Sequence, residues 1–161
     1  MYQSERGTIR TTGYWERVTG FTFEAMSIQM QTADATLVRF TSAAFRQLRD
    51  HVQRAPGVEN CGALVRGADD TVERIVPMPN QAPDRRSAYA ISPRLLFEIE
   101  RAAKVAGFYH SHPDGTSTPS AHDLEAAWPG YIYVIAGHAV RAWRLNPVDG
   151  GFEELAVVVE S

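Results

Sequence analysis

Fifteen residues, Tyr109 to Asp123, read YHSHPDGTSTPSAHD and carry three side chains that can bind a metal ion. His110 and His112 stand one residue apart, and Asp123 follows after ten intervening residues. Imidazole nitrogen and carboxylate oxygen are ordinary zinc donors. Three of them leave one corner of a tetrahedral site open, which is the catalytic rather than the structural pattern. The expectation is therefore one Zn2+ per chain, held by His110, His112 and Asp123. A cation held there would bring the pKa of water from ~15.7 to near ~7 and polarise a carbonyl.

Such a site also needs a group to carry protons. Glu59, Glu98, Glu100 and Glu125 are the acidic candidates. Glu98 and Glu100 fall on an expected helix, where charges usually form a solvated face. Glu59 opens a segment that otherwise runs into the core, which puts it ahead, although the residue pattern alone leaves the choice open. Ser120, three residues before Asp123, has two possible tasks. Its hydroxyl can accept from the first turn of a helix as an N-cap, and it can donate to an oxyanion. One hydroxyl can accept in the first task while donating in the second.

The elements that must position these groups follow from the pattern of apolar residues. Val105–His110 reads as a buried strand, and alternation along it points His110 and His112 to one face with Ser111 turned away. Pro113 ends its pairing. The polar loop 114–119 then returns the chain to Ser120, the expected cap of a helix over Ala121–Trp128 that stops at Pro129-Gly130. Upstream, Ala35–Phe40 reads as a strand. Thr41 or Ser42 caps a helix with Ala44, Phe45, Leu48 and Val52 on its buried stripe, stopped by Pro56-Gly57. Glu59–Arg66 and Thr71–Met78 form an expected hairpin about Gly67–Asp70. Prolines 77, 79 and 83 break regular structure, and a short strand is expected at Ser87–Ile91. Ser92 caps a helix with Pro93 at its first position, burying Leu95, Leu96, Ile99, Ala102 and Ala103, with Lys104 in its last turn. Tyr131–Ala136, Ala139–Leu145 and Phe152–Val159 complete the strands. The fold class is α/β, a mixed sheet with helices packed on it.

Composition narrows the remaining choices. The 161 residues suit one domain with a real core; 44% are hydrophobic and 22% charged, and the net charge of −3 gives no case for nucleic acid. One cysteine, Cys61, excludes an intramolecular disulfide and suits a reducing cytoplasm. No apolar run is long enough to span a membrane, and the N-terminus lacks the apolar centre of a signal peptide. Residues 1–34 read as an N-terminal extension, a mobile tail rather than a docked segment, ahead of a domain over 35–161. Cys61 reads as a small buried residue, His122 as an exposed or indirect neighbour of the site, and His51 and His138 as surface residues. Trp128 and Tyr131 read as core. Asp114 and Thr116 lie in the site loop without an assigned role.

Glu59 in ENCGALV, followed by GFYHSHPDGTSTPSAHD, resembles the JAMM (MPN+, Mov34/MPN/PAD-1) metalloproteases over about residues 35–145. Their pattern is a glutamate, then His-x-His, ten residues and Asp, with a serine three before that Asp. All five positions are filled, by Glu59, His110, His112, Ser120 and Asp123. The resemblance implies a cytidine-deaminase-like fold and zinc-dependent hydrolysis of peptide or isopeptide bonds. It assigns Glu59 as the base and Ser120 as a catalytic contributor. The Cys-Gly pair after the glutamate and FYHSHPDG leading to WPGY are similar to the small bacterial branch of CysO-cysteine peptidases. This similarity implies a ubiquitin-like sulfur-carrier protein, or a peptide, as substrate. The alternatives are a non-catalytic MPN-type interaction module and a deubiquitinase-like isopeptidase on lysine-linked conjugates. A zinc deaminase needs a P-C-x-x-C ligand pair, which one cysteine excludes.

Overall fold

The computed structural model describes residues 36–161. The expected N-terminal extension, residues 1–34, lies outside them. Seven strands and three helices follow in the order β1 (Leu37–Thr41), α1 (Ser42–Gln53), β2 (Cys61–Arg66), β3 (Val72–Met78), α2 (Pro93–Ala102), β4 (Val105–Ser111), α3 (Ala121–Ala126), β5 (Ile132–Ala136), β6 (Val140–Leu145) and β7 (Phe152–Glu160). The sheet is mixed, as expected, and it closes on itself in the order β1-β3-β2-β4-β5-β6-β7. β7 runs parallel to β1 from Leu37↔Ala156 to Thr41↔Glu160. Between β1 and β3 the ring is joined by one pair, Phe40↔Val72.

Local chemistry sets the helix starts. Thr41, Ser92 and Ser120 each accept from a backbone N–H three residues on, at Ala44, Leu95 and Asp123. α1 buries Ala44 and Leu48 in a cluster with Phe40, Leu64, Val72, Tyr109 and Val134 on one face of the sheet. Leu48→Ala there would cost ~2–5 kcal/mol. α2 joins a second cluster on the other face, with Ala63, Met78, Phe108, Tyr133, Ile135 and Trp143. Only Leu96 of α2 is fully buried; Ala102 is exposed, and Lys104 lies beyond the helix end, where it pairs with Asp70.

Two further expectations are corrected. Ser87–Ile91 is not a strand: the Asn80 side chain donates to Ala88 O and accepts from the N–H groups of Ala82 and Ala90, replacing a strand ladder. The helix expected over Ala121–Trp128 ends at Ala126. Pro129 excludes its predecessor from helical backbone, and the Trp128 N–H goes to the Tyr133 hydroxyl instead. Likewise β2 begins at Cys61, leaving Glu59 two residues ahead of it.

β4 pairs antiparallel with β2 and parallel with β5. A parallel neighbour requires a crossover, and residues 112–131, including α3, make it. The candidate site therefore sits where the crossover leaves the C-terminal end of β4.

Candidate active site

The register of β2 on β4 explains how a glutamate meets histidines some fifty residues later. Cys61 pairs with His110, and Ser111 N donates to Asn60 O at 2.9 Å, one step further out. Asn60 N in turn donates to Ser111 Oγ at 2.9 Å. Glu59 precedes Asn60 and His112 follows Ser111, so this lock holds the backbones of the two residues beside each other. Ser111 turns away from the histidines, as alternation requires, and serves this lock. Gly62 opens the other face: a Cβ there would collide with Val76 O and the Tyr109 ring, which fills the space down to His51.

The three expected ligands converge. His110 Nε2 lies 3.0 Å from His112 Nε2 and 3.1 Å from Asp123 Oδ1, and His112 Nε2 lies 3.4 Å from Asp123 Oδ2. With one donor atom taken from each residue, the three lie within 4.8 Å of one another, close enough to share one metal ion. His110 and Asp123 are buried at 1% and 5% exposure. Two buried polar atoms beside them, Glu59 Oε2 and His110 Nδ1, have no hydrogen-bond partner, although buried polar groups are normally paired. Convergent nitrogen and carboxylate donors with unspent polar capacity suit a cation.

The charges follow from this packing. Burial alone would raise the Asp123 carboxyl, but bonds from His110, His112 and the Ser120 N–H outweigh it and hold Asp123 far below the carboxylate range. Burial pushes His110 down, while the Asp123 carboxylate pushes His112 up. Glu59 is raised from 4.5 to about 7, chiefly by burial; His112 opposes the shift, and Asp123, Asp114 and Asp84 add to it. A carboxyl poised near neutrality can both take and return a proton.

Loops on both sides hold the ligands. Thr116 Oγ1 lies 2.9 Å from His112 Nδ1 and donates to Asp114 Oδ1 at 2.8 Å. The site loop is pinned in turn by the β5–β6 turn. His138 N donates to Gly115 O, Ser117 Oγ donates to Ala139 O, and Trp143 Nε1 donates to Ser117 O. Gly137 permits that approach, since a Cβ would meet the carbonyls of Gly115 and Thr116. Ser120 forms a capping box with Asp123: its Oγ accepts from Asp123 N and donates to Asp123 Oδ2 at 2.7 Å. Its hydroxyl proton therefore rests on the Asp123 carboxylate.

Other candidates fall away from this centre. Cys61 is buried, its thiol pushed up to about 12 by burial and by Glu59. His122 and His138 are exposed. His51 is half-buried rather than a surface residue, with Nδ1 2.8 Å from the Tyr109 hydroxyl. Glu98 is exposed, Glu100 accepts from the Tyr131 hydroxyl, and Glu125 is exposed. Trp128 and Tyr131 pack on Phe108. Sequence reasoning missed Tyr89, whose ring stacks on His110 at 4.3 Å and 23°. A lone aromatic in an otherwise polar, proline-broken loop was its only signal.

The sequence profile of the family described as prokaryotic homologs of the JAB domain, Prok-JAB, matches residues 41–146. The chain belongs to that family. As a Prok-JAB protein it is similar to the desampylase of Haloferax volcanii, with 41% identity over 112 residues, 65% of this chain and 81% of that protein. It is also similar to a Thermus thermophilus protein named "Probable TtuB-protein conjugate cleaving protease", with 36% identity over 119 residues, 70% of this chain and 76% of that protein. The fold is that of a JAB1/MPN domain protein from Archaeoglobus fulgidus, with a TM-score of 0.52, 16% identity and coverage of 77% of this chain and 97% of that one. The Prok-JAB match takes in Glu59, His110, His112, Ser120 and Asp123.

Proposed function

We propose that this protein is a JAMM-type zinc peptidase, which hydrolyses the amide bond that follows the C-terminus of a ubiquitin-like or sulfur-carrier protein. The observation that carries this reading is the convergence of His110, His112 and Asp123 beside a buried, unpartnered Glu59 oxygen. The names of the two relatives, a desampylase and a conjugate cleaving protease, support a protein conjugate as the substrate class.

His110, His112 and Asp123 would hold one Zn2+ per chain, which when bound supplies Lewis acidity toward water and the scissile carbonyl. Glu59 accepts the proton of the attacking water and returns it to the departing amine. Its carboxylate is buried at 6% exposure with Oε2 unpartnered, so it is free to take the proton. Ser120 donates to the oxyanion by turning its hydroxyl away from Asp123 Oδ2, which keeps the Ser120 N–H at 2.7 Å. Its acceptor role at the helix cap is undisturbed. A cytoplasmic setting belongs to the same proposal, and among the described residues no helix is long and apolar enough to cross a membrane.

The test is incubation of zinc-loaded protein with carrier fusions bearing cysteine or a short peptide after Gly-Gly, read by mass. Release of the intact carrier is the expected result. Cleavage of lysine-linked isopeptides alone would move the substrate to the deubiquitinase-like alternative. No cleavage of either, from protein holding less than ~0.2 zinc per chain, would leave an MPN-type interaction module.

A further inference from the structure

Residues 79–92, between β3 and α2, contain no regular structure, yet they touch both halves of the site. One side chain organises them. The Asn80 amide has two N–H donors and two acceptor lone pairs, and all four are used. It donates to Glu59 O and to Ala88 O, each at 2.9 Å. It accepts from Ala82 N at 2.9 Å and from Ala90 N at 3.1 Å. Ala88 and Ala90 flank Tyr89, the residue whose ring stacks on His110. A single amide thus joins the backbone of the proton carrier to the ring that covers a metal ligand.

Glu59 is held on its other side too. Its N–H donates to Arg85 O at 2.6 Å, within the same loop. With the N–H and C=O of Glu59 both anchored, only side-chain torsions remain to its carboxylate. β2 begins at Cys61, so no strand ladder performs this task for Glu59. Without the loop, Glu59 would be held only through its neighbour Asn60, which bonds to Ser111.

We infer that Asn80 is a positioning residue, which fixes the Glu59 backbone and the Tyr89–His110 stack relative to each other and so sets where the carboxylate stands over the ligands. The inference rests on the reading of Glu59 as proton carrier. Asn80 bonds to backbone groups rather than to the expected ligands, and acts through Glu59. No other residue type does this as well at that position. Aspartate offers acceptors alone, so it faces the carbonyls of Glu59 and Ala88 with nothing to donate. Alanine leaves all four backbone groups unpaired.

The experiment compares Asn80→Asp, and the milder Asn80→Ser, with the native protein and with Glu59→Gln. In metal-free protein, amide exchange at Glu59 and Ala90 should quicken at least ~10-fold, as expected for local opening. In zinc-loaded protein, kcat should fall ~10–100-fold, the scale of a small misplacement of a reacting group, while KM and zinc affinity stay within about twofold. The solvent deuterium isotope effect on kcat should rise as proton transfer becomes slower, which a mere loss of folded protein does not produce. Native kcat in both variants overturns the inference. So does a joint loss of zinc, melting temperature and activity in Asn80→Ser with an unchanged isotope effect, because that is a purely structural role. If Glu59→Gln itself retains turnover, the base assignment fails; if Glu59→Gln is inactive while Asn80→Ser is native-like, only the role of Asn80 fails.

Discussion

Asn60 and Ser111 lock together one step beyond the Cys61↔His110 pair that ends the β2–β4 ladder: Ser111 N donates to Asn60 O and Asn60 N donates to Ser111 Oγ, each at 2.9 Å. That lock, together with the loop that holds the N–H and C=O of Glu59, brings Glu59, the expected proton carrier, beside the expected metal donors. Its carboxylate is buried at 6% exposure with Oε2 unpartnered.

Replacing Glu59 by glutamine keeps the shape and removes the proton acceptor. Turnover should fall by at least ~10²–10⁴, while zinc content stays at one per chain. Mass-detected cleavage and elemental analysis on the same sample check both halves.

The same substitution should change stability with a definite sign. A carboxyl raised from 4.5 to about 7 is bound to its proton more tightly in the folded state, so its burial costs nothing below pH 4.5. The cost grows as pH rises and is complete above about 7, where it is on the order of 3 kcal/mol. Metal-free Glu59→Gln should therefore melt at the native temperature near pH 4 and several degrees higher near pH 8. Asp123 works in the opposite direction, stabilising above its ordinary value of 3.8 and fading as pH falls below it. Comparing variants at matched pH cancels its effect. Equal melting temperatures at pH 8 would contradict the burial argument.

Thr116 fixes the tautomer of His112. Its hydroxyl proton goes to Asp114, so its oxygen accepts Nδ1–H and leaves the Nε2 lone pair for a metal. Thr116→Val should weaken zinc binding ~10–100-fold, the usual loss when such a partner is removed, and Thr116→Ser should restore it. Competition with a chromophoric chelator measures both.

Ser120 combines a cap with a donor, and glycine separates the two. Glycine at a helix N-cap costs only a few tenths of a kcal/mol, whereas loss of an oxyanion donor costs ~10²–10³ in kcat. Ser120→Gly should therefore melt within a few degrees of native and turn over at least ~100-fold more slowly. A parallel fall in melting temperature and kcat would reduce Ser120 to a cap.

The legible parts of the chain were those in which a cause lies near its effect. Thr41, Ser92 and Ser120 cap helices through atoms three residues away, and the expected ligands sit at the end of one strand, just past it, and on the helix that follows. The resemblance supplied Glu59 because the physical reason for its place, the register with β4, is a long-range fact that no local pattern carries. The strand expected at Ser87–Ile91 failed for a related reason. Its residues are plausible in a strand, but the amide of Asn80 took their hydrogen bonds first. Closure of the sheet by β7 alongside β1 was equally invisible, since a parallel pairing across the whole chain leaves no turn to mark it.

The division of the site between β2 and β4 also orders events during synthesis. Glu59 leaves the ribosome well before His110, and Asp123 and its crossover come later still. A chain interrupted anywhere before α3 holds a carboxylate with no complete donor set. The candidate site is therefore complete only once the helix that carries Asp123 has been made.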